Sequence, residues 1–407
     1  MLVVGTFFLT IVLVVISTGC SNFGCAASSP GTTGTTSGTS SGKLMSNSCP
    51  STSTAAYSGF LYFLDGSRTQ IKAAALNSSG SLAALQSFAA PPLPTNTAES
   101  MTIVKAQFLY LPMGDTTIQA FKLNRSTGSL TTIAGSPYTV PTDKGTASTS
   151  VSDPQGRFLF VGSKKTGEVW SYSINSATGA LTRVEGSPFT AQFTFVAAEN
   201  LTVDSSGTFL YIGQADPILG VTAFTINEVS GVLVPVPGSP FHVNVAQVRA
   251  DPSGEFLLGT AQIRNQSGPA ASETKIHSLA IESNGVLTEV ARSPFATTFA
   301  PYDFMILPNG QFMYSFGVST SSSELGEIEG FEKSASGAVT MLSGSPYNNL
   351  PAVYTCQLGQ SGTLAVCIDN LPGARFSVLN LSIVTGAISH IGTDLPVSNA
   401  STFAFTE

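Results

Sequence analysis

Short apolar runs alternate with turn-forming clusters along most of the chain, from Tyr57 to Glu407. Residues 149–189 show the pattern. A short strand runs to Val151. Asp153-Pro154-Gln155-Gly156 then reverses the chain, because Pro presets φ and Gly accepts positive φ. Phe158 to Val161 reads as an apolar second strand, and Glu168 to Ile174 alternates as a third. A turn at Ala177-Thr178-Gly179 leads to a fourth strand, Leu181 to Val184. Pro188 is expected to end the pairing at the outer edge, where proline blocks association with another chain. The Phe or Tyr after it is expected to pack between neighbouring sheets.

That unit recurs. A turn glycine followed by a small and then an aliphatic residue stands at Gly80, Gly128, Gly179, Gly231, Gly285, Gly337 and Gly386. The spacings are 48, 51, 52, 54, 52 and 49 residues. Five copies carry a second tag, at Gly135-Ser136-Pro137-Tyr138, Gly186-Ser187-Pro188-Phe189, Gly238-Ser239-Pro240-Phe241, Arg292-Ser293-Pro294-Phe295 and Gly344-Ser345-Pro346-Tyr347. Turns related to Asp153-Pro154-Gln155-Gly156 open the later units, at Asp204, Asp251, Pro308-Asn309-Gly310 and Gln360-Ser361-Gly362.

A four-stranded unit of about fifty residues has the size of a propeller blade, and it cannot bury both faces unless it stacks against its neighbours. Seven tags therefore predict an all-β, seven-bladed propeller of four-stranded antiparallel blades. The first unit opens at its second strand, Phe60 to Leu64, and a strand from Ser401 to Phe405 is left over at the other end. That last strand is expected to become the innermost strand of the first blade and close the ring.

Residues 1–56 read differently. Leu2 to Ile16 is an apolar run of signal-peptide length, followed by Ser17-Thr18-Gly19-Cys20. This ending is similar to the lipobox of bacterial lipoproteins, with Cys20 as the lipidated residue. Residues 21–56 are rich in Ser, Thr and Gly, a composition expected to give a flexible tether. The expected organisation is thus 1–20 leader, 21–56 tether and 57–407 propeller. The place implied is the periplasm, outer membrane or cell surface. Among the 5 Cys, Cys356 and Cys367 flank the Gly359 to Gly362 turn on adjacent strands. Export permits a bridge between them, with the register left open.

Charge narrows the function. With 17 Lys+Arg and a net charge of −7, the chain lacks the basic footprint of a nucleic-acid binder. No cysteines have zinc-like spacing, so no zinc site is expected. Nothing in the pattern calls for more than a monomer.

The tags Thr178-Gly179-Ala180-Leu181, Gly186-Ser187-Pro188-Phe189 and Asp251-Pro252-Ser253-Gly254-Glu255-Phe256-Leu257 resemble those of the seven-bladed propeller lactonases. That family includes the bacterial propeller-type 6-phosphogluconolactonases. The resemblance implies lactone hydrolysis with no metal and no organic cofactor at one mouth of the central channel, by His, Glu and Arg gathered there.

Lactone opening needs a base for water and donors for the oxyanion. The chain has 3 His. His277 and His390 fall within strands and read as structural. His242 follows the Ser239-Pro240-Phe241 tag and is the candidate. The longer connections, residues 141–148, 214–220, 260–274 and 317–327, should project on the face opposite the tag turns, where function on a repeat scaffold sits. Counting four residues back from each opening turn gives Glu99, Thr149, Asn200, Gln247, Asp303 and Thr355. All are polar, and they are expected to ring the channel mouth beside Glu199. Such a ring favours a cation or a neutral polyol over a phosphorylated anion. Two readings follow. One is a tethered module that binds a small polar ligand or a protein. The other is a lactonase using Glu199, His242 and Asp303.

Overall fold

A computed structural model describes residues 57–66, 70–89, 100–141, 145–163, 165–190, 198–214, 220–261, 273–318, 326–369, 374–398 and 400–407. The leader, Cys20 and the tether lie outside them, as do Glu99 and most of the long connections. The described chain forms seven antiparallel sheets, each ordered outward from an innermost strand. The innermost strands are Ala400–Thr406, Thr102–Val104, Ala147–Ser152, Ala198–Val203, Gln247–Ala250, Ala300–Ile306 and Thr355–Leu358 in blades one to seven. Blade one is completed by Ala400–Thr406 pairing with Gly59–Asp65, with Tyr62 opposite Ala404. The expected closure is present. The Glu407 carboxylate also caps the opening turn of blade seven, accepting the Ser361 amide at 2.6 Å and its hydroxyl at 2.9 Å.

The tags lock blades together. In blades one to six a phenylalanine at the start of the second strand packs where the turn glycine of the next blade has no side chain; in blade seven that position is Leu364. Phe60 meets Gly128, Phe158 meets Gly231, Phe209 meets Gly285 and Phe312 meets Gly386. Two residues on, Tyr62, Tyr110, Tyr211 and Tyr314 each donate a buried hydrogen bond to that glycine's carbonyl, at 2.7–3.1 Å. Burial pushes these phenols above their ordinary range. Hydrophobic clusters fill the spaces between sheets, and Trp170 is fully buried in one shared by blades two and three.

The Ser-Pro tags act otherwise than expected. All five Ser-Pro bonds are cis. Pairing does not stop at Pro188: Phe189–Thr190 pairs again with the third strand, opposite Val169 and Glu168. The serine fills the gap. Ser187 Oγ accepts the Ser171 amide at 3.0 Å, and Ser136, Ser239, Ser293 and Ser345 repeat this at 2.9–3.0 Å. The tag is a clamp across an interrupted ladder, and its aromatic residue packs on the interblade core as expected. Arg292 replaces the tag glycine and still takes φ 69°.

Cys356 and Cys367 stand directly opposite one another on the first and second strands of blade seven and are joined by a disulfide.

Candidate functional site

An innermost strand is an edge strand, with one row of backbone groups left unpaired by its own sheet. Polar side chains along the channel answer that deficit. Thr149 lies opposite Gly162, Asn200 opposite Gly213, Gln247 opposite Thr260, Asp303 opposite Phe316 and Thr355 opposite Ile368. These pairs occupy one level, so five members of the expected ring share a register. In blade one the same level holds Thr402, opposite Leu64. In blade two the count gives Glu99, but the level belongs to Ser100. There the opening turn is one residue shorter, with Lys105 and Ala106 both at positive φ, 51° and 52°. Counting back from such a turn overshoots by one.

The collar stitches blades together. Ser100 Oγ accepts the Ser150 amide of blade three at 2.7 Å. Asn200 Oδ1 accepts the Val248 amide of blade five at 3.2 Å. Asp303, fully buried, does most. Its Oδ1 accepts Arg249 Nη2 of blade five at 2.9 Å and the Phe304 amide at 2.8 Å. Its Oδ2 accepts Thr355 Oγ1 of blade seven at 2.5 Å. Three consecutive blades are thereby tied through one carboxylate. The Arg249 guanidinium also lies 5.8 Å from the centroid of the Phe304 ring. A third of its side chain is exposed, on the innermost strand of blade five.

One residue nearer the mouth, four innermost strands are bulged. The register slips past Ser148, Glu199, Tyr302 and Ser401. A bulge at the rim of a sheet re-aims a side chain. Tyr302 and Tyr354, on blades six and seven, pack with ring centroids 5.3 Å apart at 40°. Both are partly exposed.

The three candidate catalytic residues are distributed as follows. Asp303 is on the innermost strand of blade six. Glu199 is on that of blade four, and its side chain lies outside the described residues. His242 is exposed, on the segment beyond the third strand of blade four, next to the Phe241–Val221 bridge. Three strands of its own sheet separate that segment from the channel. His277 is buried on the third strand of blade five, 2.8 Å from Glu289 Oε1 and 3.4 Å from Glu273 Oε2. Burial alone would raise Glu273, but its bonds to Lys275 and His277 outweigh it and hold this carboxyl below the usual range. His390 bonds Asp394 at 2.8 Å on the outer strand of blade seven. Among the described residues, no group of three or more His, Cys, Asp or Glu could hold a metal ion, and no helix is long and apolar enough to cross a membrane.

Sequence reasoning missed Arg249, Thr402, Ser100 and the Tyr302–Tyr354 pair. Thr402 could have been reached by registering Ser401 to Phe405 as the first blade's inner strand. Arg249 and the tyrosines carry no tag.

The comparisons agree with this architecture. The sequence model of the lactonase family with a seven-bladed β-propeller matches residues 104–244. No curated protein matches the chain. A candidate 6-phosphogluconolactonase from Bacteroides uniformis ATCC 8492 superposes with a TM-score of 0.67 at 14% identity, over 85% of this chain and 98% of that one. A second, from Bacteroides fragilis NCTC 9343, gives 0.61 at 14%, over 88% and 100%. A periplasmic gluconolactonase from Pseudomonas aeruginosa gives 0.59 at 14%, over 86% and 99%. The chain is a seven-bladed β-propeller, and the resemblance to the propeller lactonases read from its tags is borne out.

Proposed function

We propose that this propeller is an exported binding module whose ligand, a small polar molecule or a protein segment, sits at the collar end of the channel and is not hydrolysed. The observation that carries the reading is the state of Asp303. Its oxygens accept bonds from a guanidinium, a hydroxyl and an amide, so its lone pairs serve the scaffold. A general base needs a lone pair aimed at water. His242, the other candidate base, stands outside the channel wall. The apolar leader, the Ser/Thr-rich tether and the Cys356–Cys367 disulfide favour an oxidising compartment reached by export. Lipidation at Cys20 would then hold the wheel near a membrane surface.

The second reading is a metal-independent lactone hydrolase resembling 6-phosphogluconolactonase. The lactonase family match and the names of the similar structures favour it. Glu199, Asp303 and His242 would carry the chemistry. The two readings separate in one assay. The purified protein is given glucono-δ-lactone and its 6-phosphate, and acid release is followed at constant pH. Binding without catalysis predicts the buffer rate. Acceleration that disappears in Glu199→Gln, His242→Ala or Asp303→Asn would establish the hydrolase instead.

A further inference from the structure

We propose that the mouth of the channel binds a neutral saccharide, one face of a sugar ring stacked on the Tyr302–Tyr354 pair; this rests on the binding reading above. Both tyrosines stand one residue outward of the collar, on neighbouring blades, and their rings form a single tilted surface. Tyr302 is there because the strand is bulged at that point, between Pro301 and Asp303. Without the bulge the alternation of the strand would turn its ring to the other face. Aromatic rings that pair yet stay partly exposed leave apolar area for something else to cover.

One residue inward, around the collar, lies hydrogen-bonding capacity that the scaffold does not use. Asn200 gives its Oδ1 to Val248, and no described residue accepts from its Nδ2. The Gln247 amide and the Thr402 hydroxyl, on the same level, bond to no described residue. Neutral amides and hydroxyls of this kind match sugar hydroxyls, which both donate and accept. An apolar ligand would strip water from these groups and give nothing back. The two charges placed at the collar, Arg249 and Asp303, neutralise each other at 2.9 Å, so they offer little net attraction to an anion or a cation. A pyranose combines a C–H face for the tyrosines with a hydroxyl rim for the collar, the pairing of an apolar surface and a few placed polar groups that ligand sites share.

The test is ligand-observed saturation-transfer NMR on the full-length protein with cellobiose, maltose and xylobiose. The expected result is binding of at least one disaccharide in the millimolar range. Its axial ring protons on one face should saturate more strongly than the rest. Tyr302→Ala and Tyr354→Ala should each weaken binding about tenfold, and Tyr302→Phe should leave it nearly unchanged, because the ring and not the hydroxyl does the stacking. Melting curves identify any variant that fails to fold, and the face-selective pattern of the wild type stands without variants. Absence of binding to all three sugars, or uniform saturation around the ring, would overturn the proposal. So would unchanged affinity in folded alanine variants. Inert sugars with inert lactones leave a binding module for another ligand. Lactone turnover would instead defeat the non-catalytic reading, and the sugar signals would still judge the platform.

Discussion

Phe158 in blade three packs against the bare Cα of Gly231 in blade four: a Cβ added there would stand 2.6 Å from two of its ring carbons. Gly231 also holds φ at +74°, and its carbonyl accepts the buried Ser171 hydroxyl at 2.8 Å. One glycine thus serves a turn, a close approach and a hydrogen bond between blades. Gly231→Ala combines a left-handed backbone with overpacking and should cost about 2–4 kcal/mol in urea unfolding. Combining it with Phe158→Ala should give a double-mutant coupling, since the clash disappears while the backbone strain stays.

The Arg249–Asp303–Thr355 chain predicts an asymmetric response to substitution. Asp303→Ala leaves the guanidinium and the Thr355 hydroxyl without their partner. The cost should be about 2–4 kcal/mol, below the full penalty for a broken buried pair because Arg249 is a third exposed. Adding Arg249→Met should recover at least half of it, because the uncompensated charge is then gone. Chemical denaturation of the wild type and these two variants measures both steps.

Glu329 gives a pH dependence with a definite sign. It is fully buried on the third strand of blade six, where its Oε1 accepts the Thr298 amide at 2.8 Å. Burial raises its carboxyl above the ordinary 4.5, and the Thr298 bonds offset this only in part. The folded state therefore holds this proton more tightly than the unfolded chain. Its contribution is fully present below the ordinary carboxylate range and is lost as pH rises through the raised value. Glu329→Gln removes that loss. Melting temperatures of wild type and variant, compared at pH 4 and pH 8, should show the variant gaining on the wild type at the higher pH (~4 units apart, so well past the ordinary value). An equal gap at both would contradict it.

Most of the wheel was legible in the sequence, because the residues that mark it are those that backbone geometry demands. The turn glycines need positive φ, and the Phe158-type residues sit under them, so both repeat in register. The collar was legible to within one residue, since the innermost strands run without gaps to the opening turns. It slipped at Glu99 because the Lys105-Ala106 turn is shorter. The Ser-Pro tag was visible but its purpose was not, for the serine's bond to the third strand depends on a chain reversal that spacing does not reveal. Arg249, Tyr302 and Tyr354 were illegible for a different reason. They occur once each, and a single residue on a repeat scaffold acquires meaning only when the fold brings its partners from the next blade.

Closure of the ring is the claim on which every position above depends, and it rests on Ala400–Thr406 pairing with Gly59–Asp65 and on the Glu407 cap over Ser361. Removing residues 400–407 exposes the second strand of blade one to the channel and opens the seam between blades seven and one. Thermal unfolding of the truncated protein, followed by circular dichroism, should lose the sharp transition of the intact chain or move it far downward. A truncated protein that melts at the same temperature and with the same steepness would contradict the closed wheel.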